Sequence, residues 1–164
     1  MFKMPPTPLI IAAVCCAVAL VLQSIALAER AWAINKFGLG VGLYKTCIEN
    51  PLPFGDKYIC KDLYDADETP GWLSAVRWCG YFATLGMTAG FGCIGASFFF
   101  QFEIFDTVAL SGSGVATLCT LLEVVLWKNY SGYETMGSSY NMTWAAFGLC
   151  LVADALIGGG RKKE

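Results

Sequence analysis

Hydrophobic and polar residues fall into long, separate blocks along this chain. Four apolar runs, each near the length of a membrane-spanning helix, lie at about 8–28, 72–98, 107–127 and 142–158. The two long polar segments between them lie at 29–71 and 128–141. An α-helix rises 1.5 Å per residue, so about 20 apolar residues cross a hydrocarbon core of roughly 30 Å. The pattern predicts a membrane all-α four-helix bundle that forms one domain over 1–164.

The first apolar run fits two roles. Ala26-Leu27-Ala28 has the small-x-small form of a signal-peptide cleavage site. The run from 8 to 28 is, however, longer than the usual apolar core of a signal peptide. We therefore expect it to be retained as the first membrane helix.

The first polar segment has the composition of a small β-sheet. Stretches 37–44 and 58–60 contain β-branched, aromatic and glycine residues rather than a helical pattern. Turn-forming residues lie between them, namely Pro51, Pro53, Gly55 and Asp56. The segment therefore predicts short β-strands between the first two helices.

Charges at the two ends of the chain indicate its orientation. Lys3 and the terminal run Arg161-Lys162-Lys163 lie on the same side of the membrane if the number of crossings is even. Positive charges favour the cytoplasmic side. We expect a multi-pass plasma-membrane protein with both termini in the cytoplasm, and segments 29–71 and 128–141 then face the extracellular side.

The outward segments contain candidates for covalent modification. Asn129 and Asn141 each begin an Asn-x-Ser/Thr tripeptide, which is the form of an N-glycosylation acceptor, although such tripeptides often arise by chance. Cys47 and Cys60 are the only cysteines in these segments, in a compartment that is oxidising. A disulfide between them would close a short loop between two candidate strands, at a gain of roughly 3 kcal/mol.

The remaining composition argues against several classes of protein. A net charge of −2 gives no reason to expect nucleic-acid binding, which requires a clustered basic surface. The chain has no histidine, the commonest general base and metal ligand, and its eight cysteines include no C-x-x-C pair. No phosphate-binding glycine loop or G-x-S-x-G turn occurs. We therefore expect no enzyme, no metal site, no cofactor and no nucleic-acid partner.

Three ionisable residues lie inside the apolar runs, where a charge is costly unless it is paired or near water. Arg77 and Glu123 each lie about five residues from the outer end of a run, and we expect them to pair. Asp154 lies in the inner half of the fourth run, where it could mark contact with a partner or form a hydrogen bond across the bundle. The candidate bonding partners are Thr84, Thr88 and Ser113.

Several short motifs of the chain occur together in one known superfamily. Trp32 follows the first run, Gly42-Leu43-Tyr44 precedes Cys47 by two residues, and a second cysteine stands at Cys60. This order resembles the W…G-L-W-x-x-C…C signature of the claudin-like superfamily. That superfamily contains claudins, peripheral myelin and epithelial membrane proteins, and the gamma subunits of calcium channels and glutamate receptors.

The resemblance extends to the later helices, with two departures. The stretch from Trp72 to Arg77 is similar to the family's arginine-containing entry to its second helix, and Trp144-Ala145-Ala146 resembles a motif of its fourth helix. Tyr44, however, stands where the family usually has tryptophan. The terminal Lys162-Lys163-Glu164 lacks the hydrophobic last residue by which claudins bind PDZ domains.

The resemblance implies a fold and two alternative functions. It implies a claudin-like bundle with an extracellular sheet, in which Trp32, Leu43 and Tyr44 lie at the outer membrane interface. The first function is cell–cell adhesion or a paracellular barrier at a cell junction, through lateral and trans association with itself or related tetraspans. The alternative is an auxiliary, gamma-like subunit that regulates the gating or trafficking of an ion channel or receptor. Membrane lipid is a partner in both cases.

Overall fold

Four long helices dominate the computed structural model, which describes residues 7–29, 31–34, 39–49, 58–64, 68–100 and 103–161. The helices are α1 Thr7–Ala28, α2 Gly71–Ser97, α3 Glu103–Tyr130 and α4 Ser138–Arg161. They form a four-helix bundle, which confirms the predicted fold class.

Two of the helices begin earlier than the apolar runs that predict them. α3 begins at Glu103 and α4 at Ser138, each four residues before the start of its apolar run. Acidic residues favour the first turn of a helix, as does serine at or near its N-cap. These polar first turns extend the helices beyond their apolar parts.

Buried residues show how the helices run relative to one another. Each of three layers takes residues from all four helices. In the order α1 to α4, the layer in the middle of the bundle includes Ala19, Ala83, Ala116 and Ala146. The layer far from the sheet includes Ala12, Ile94, Ala109 and Ala153. From the middle layer to the layer far from the sheet, residue numbers fall in α1 and α3 but rise in α2 and α4. Consecutive helices therefore run in opposite directions, in an up-down-up-down topology.

Three helices are long and apolar enough to cross a membrane, by length and composition: Thr7–Ala28, Ile104–Tyr130 and Ser138–Gly159. The chain is therefore a multi-pass membrane protein. The predicted second span is also a helix, α2, which is long enough to cross a membrane. Among the described residues it is not hydrophobic enough to belong to this group. Its many glycine and threonine residues lower its hydropathy.

A five-stranded antiparallel sheet lies at the end of the bundle where α1 ends and α2 begins. Its strands are β1 Ala33–Ile34, β2 Gly40–Val41, β3 Lys45–Glu49, β4 Tyr58–Asp62 and β5 Thr135–Met136, in the order β4-β3-β2-β1-β5. The predicted strand over 37–44 is reduced to β2, and its residues 37–38 lie outside the described residues. β1 and β3 were not predicted, and neither was β5, which comes from the segment between α3 and α4.

A disulfide joins the two longest strands. Cys47 of β3 and Cys60 of β4 lie directly opposite each other in the strand register and are covalently bonded. This confirms the predicted crosslink. The bond fixes the pairing of β3 with β4.

Candidate functional site

The turn between β2 and β3 attaches the sheet to the helices. The Gly42 N–H donates to the Lys45 carbonyl, and this places Leu43 and Tyr44 at the tip of the hairpin. Leu43 is fully buried. Nε and Nη2 of Arg77 both donate to its carbonyl oxygen, at 3.0 and 2.7 Å. One side chain of α2 therefore holds the backbone of the hairpin tip.

Tyr44 strengthens this attachment. Its hydroxyl donates to the Tyr81 hydroxyl at 2.6 Å. The Arg77 guanidinium carbon lies 4.7 Å from the centre of the Tyr44 ring, which is a cation–π distance. Burial, together with the hydrogen bond to Tyr81, raises the pKa of the Tyr44 hydroxyl. A tyrosine here keeps the aromatic contact and adds a hydroxyl bond to α2.

Trp32 lies in the buried cluster at the sheet end of the bundle. Its indole N–H donates to the Ala26 carbonyl at 2.7 Å, near the end of α1. Its ring lies 5.3 Å from that of Trp127 and 6.4 Å from that of Tyr140, and it has no exposed surface. Leu43 is also fully buried, and the expected depth of both residues at the outer membrane interface stays a prediction. A satisfied indole N–H lets tryptophan be buried completely.

Glu123 is bonded to Gln23 of α1 and not to Arg77. Gln23 Nε2 donates to Glu123 Oε2 at 2.6 Å, and both side chains are fully buried. The predicted Arg77–Glu123 ion pair was wrong, because the guanidinium bonds the hairpin carbonyl instead. Neither Gln23 Oε1 nor Glu123 Oε1 has a hydrogen-bond partner among the described residues. A Cβ added at Gly80 would lie 2.9 Å from Glu123 Oε1, so this glycine makes room for the carboxyl group.

Asp154 also has a partner other than those expected. Thr117 Oγ1 donates to Asp154 Oδ2 at 2.8 Å and lies 3.0 Å from the Ser113 carbonyl oxygen. Thr84 and Thr88 instead bond carbonyl groups of their own helix. The three predicted partners were therefore wrong. Asp154 Oδ1 and Ser113 Oγ have no hydrogen-bond partner in the part of the chain that the structure describes.

These contacts belong to a row of buried polar side chains that sequence analysis missed. Ser113, Thr117, Thr120 and Glu123 of α3 are all buried, at spacings of four, three and three residues. Such spacing places them on one face of a helix. We call these four residues the polar seam. The signal was present in the sequence as a 3–4 periodicity of polar residues inside an apolar run.

A groove of about 930 Å³ lies between the sheet and the ends of the helices. Lys45 and both disulfide cysteines line it from the sheet. Leu27 and Glu29 line it at the end of α1, and Tyr81 lines it from α2. We call this space the sheet groove.

The other face of β3 and β4 carries an apolar pair. Ile48 and Ile59 lie directly opposite each other in the register, and they are 41% and 47% exposed. Side chains alternate between the faces of a strand, so this pair lies on the face opposite to the Cys47–Cys60 bond. It is a small exposed apolar surface on the face of β3 and β4 that does not carry the disulfide.

The glycosylation candidates lie in helices. Asn129 is in the last turn of α3 and Asn141 in the first turn of α4, and both are exposed at the sheet end of the bundle. Among the described residues, no group of three or more histidine, cysteine, aspartate or glutamate side chains could hold a metal ion.

The chain matches no family model and no curated protein sequence.

Proposed function

We propose that this protein is a claudin-like tetraspan that acts in cell–cell adhesion or as a paracellular barrier. The resemblance noted in the sequence is supported by how its residues are used. Trp32 is packed beneath the sheet, Leu43 is bound by Arg77, and Cys47 is joined to Cys60. Each signature residue that is described thus contributes to a single rigid attachment between sheet and bundle.

The proposal requires α2 to be the fourth crossing. α2 has 27 residues, about 40 Å of helix, and it runs antiparallel to the helices on either side of it. Its outward side chains include Trp78, Phe82 and Leu85, each more than half exposed. Large apolar side chains facing outward at this density suit contact with lipid. An even number of crossings puts both termini on the same side, although Lys3, Lys162 and Lys163 lie outside the described residues.

The observation that carries the adhesive role is the exposed Ile48–Ile59 pair. It lies on a strand pair fixed by a disulfide, and the strands are attached through Leu43 and Arg77 to α2. A preorganised apolar surface loses little conformational entropy when it binds. In this proposal the pair contacts the corresponding surface of a molecule on the neighbouring cell.

The test is a cell-aggregation assay with full-length chain on the surface of otherwise non-adhesive cells. Replacement of both Ile48 and Ile59 by serine is expected to reduce aggregation severalfold without reducing surface delivery. Ile34→Ser is the matched control, because Ile34 is 43% exposed in the same sheet and opposite Gly40, on the disulfide face. Unchanged aggregation of the double variant, or an equal loss in the control, would contradict the adhesive role.

A second function, an auxiliary subunit of a channel or receptor, is favoured by the outer face of α2. Trp78 and Phe82 are stacked with ring centres 6.0 Å apart, beside the exposed Leu85. This aromatic surface fits the side of a partner's membrane helix. Purification in mild detergent distinguishes the two functions: a stoichiometric channel or receptor subunit, lost in Trp78→Ala, would favour the auxiliary role.

A further inference from the structure

The sheet groove reaches from the polar end of the bundle to its outward side. Ser24 of α1 lines it together with Leu27 and Ala28. Ser24 is exposed, as are Val21 and Ile25 on the same helix. Ser24 lies four residues before the end of α1, which is about 6 Å along the axis. The groove is therefore open on the side that the surrounding lipid contacts.

The polar rim of the groove has two opposite charges. Lys45 lines it from β3 and forms no ion pair within the described residues, although Asp62 is opposite to it in the register. Glu29 lines it at the end of α1, where one carboxylate oxygen, Oε2, accepts long hydrogen bonds from Ser138 and Ser139 at 3.3 and 3.2 Å. A carboxylate has about four acceptor sites, so Glu29 can bind a further group.

The hydroxyl groups and the apolar wall complete the groove. Tyr44 and Tyr81 line it with their hydrogen-bonded pair, next to the apolar surface of Leu27, Ala28 and Ala31. The groove thus has one cation and one anion at its polar end and an apolar wall that leads to the outward side of α1. This arrangement matches an amphipathic zwitterion. The volume of about 930 Å³ is within the range of ligand sites, about 300–1,000 Å³.

We propose that the sheet groove binds one zwitterionic phospholipid molecule from the surrounding membrane, a role beyond the adhesive function proposed above. Lys45 binds its phosphate, Glu29 binds its ammonium group, and an acyl chain passes Ser24 along α1. A sterol has a single hydroxyl and would leave both charges unpaired, and an anionic phospholipid without an amine, such as phosphatidylglycerol, would place no cation beside Glu29. The bound lipid fills the space between the disulfide strands and the end of α1.

The test is native mass spectrometry of the full chain after exposure to an equal mixture of phosphatidylcholine, phosphatidylglycerol and cholesterol. The parent protein is expected to retain one phosphatidylcholine molecule. Lys45→Glu is expected to reduce retention about tenfold or more, since one charge-assisted bond becomes a repulsion. Lys61→Glu is the matched control, because Lys61 is opposite Thr46 on the other face of the sheet. It makes the same change of charge away from the groove and is expected to retain the lipid.

The opposing outcomes are equally specific. Equal retention by the Lys45 and Lys61 variants, preferential retention of phosphatidylglycerol or cholesterol, or no stoichiometric lipid would each overturn the proposal. If Lys45→Glu fails to fold, photocrosslinking of the parent protein with a photoactivatable phosphatidylcholine decides the question. Adducts are expected within 24–29 and 44–47. Their absence from both segments would also overturn it. Cell aggregation is a separate readout, so failure of the lipid site would leave the adhesive role standing.

Discussion

Glu123 of α3 faces Gly80, three residues after Arg77 in α2, and each of the two ionisable side chains nevertheless has a neutral partner. Two N–H groups of the guanidinium share one acceptor, the Leu43 carbonyl oxygen at the hairpin tip. Gln23 on α1 supplies the donor for the carboxyl group. At the scale of single residues, each of these two groups is therefore bonded to a neutral amide or carbonyl group from a distant part of the chain, whereas Asp154 is bonded to the Thr117 hydroxyl.

The Gln23–Glu123 contact predicts that stability depends on the shape and hydrogen bonding of side chain 123 more than on its acidity. Glu123→Gln keeps an oxygen for Gln23 Nε2 and adds a donor for the unpartnered Gln23 Oε1. We expect its free energy of unfolding to lie within about 1 kcal/mol of that of the parent protein. Glu123→Ala leaves the Gln23 amide unpaired and is expected to lose about 1–3 kcal/mol. Unfolding of the purified chain in detergent, followed by tryptophan fluorescence, measures both. Equal destabilisation by the two substitutions would contradict the prediction.

Tyr44 predicts a loss of stability in alkali. Burial and the bond to Tyr81 raise its pKa above the ordinary value of about 10. Below pH 10 the hydroxyl is protonated in the folded and unfolded chains, so its contribution is fully present. Above about pH 10 the unfolded chain loses this proton first, and stability falls as the pH rises through the folded pKa.

The measurement is the thermal unfolding midpoint between about pH 8 and pH 11. The unfolding midpoint of the Tyr44→Phe variant is expected to fall less steeply with pH than that of the parent above about pH 10. Tyr133 contributes in the same direction, because burial and the neighbouring Tyr64 raise its pKa. A double Tyr44→Phe, Tyr133→Phe variant should therefore give the flattest profile. Parallel profiles for all three proteins would contradict the assignment.

At the scale of elements, α2 and α3 pack through small residues. A Cβ added at Gly86 would lie 2.5 Å from the Gly112 carbonyl oxygen and 3.1 Å from the Ala116 nitrogen. Both are backbone atoms, so relief requires the two helices to move apart. Small residues at such contacts let membrane helices approach closely. In this chain they serve packing within the bundle.

This contact predicts that Gly86→Ala lowers stability by about 1–3 kcal/mol through overpacking. Gly92 is in the same helix, and a Cβ there would meet nothing within 4 Å. Gly92→Ala is the matched control, and it is expected to be neutral or to stabilise by up to about 1 kcal/mol through helix propensity. Thermal unfolding in detergent compares the two. A Gly86→Ala protein as stable as the parent would show that the helices are not in contact there.

At the scale of the whole molecule, sequence alone predicted the four-helix bundle and its disulfide-bonded sheet. Long apolar runs and the placement of two cysteines are local features of the sequence, so they can be recognised without knowledge of tertiary contacts. The partners of Trp32, Glu123 and Asp154 were not predicted, because they depend on contacts between distant residues. Gln23 and Glu123, for example, are 100 positions apart in the chain. β5 was missed for the same reason, since a two-residue strand has almost no pattern of its own.

The orientation of the whole molecule can be tested through Cys47 and Cys60, since a disulfide persists in an oxidising compartment and is rare in the cytosol. If the sheet is extracellular, denatured protein from cells lysed with a thiol-blocking reagent should expose two more cysteines after reduction than before. The six remaining cysteines are free in the structure and serve as the internal reference for the alkylation count. In a Cys47→Ser, Cys60→Ser variant this difference in thiol count should disappear. The helical content should stay close to that of the parent, because the three buried layers do not depend on the disulfide. Eight reactive thiols in the parent before reduction would place the sheet on the cytoplasmic side and invert the proposed topology.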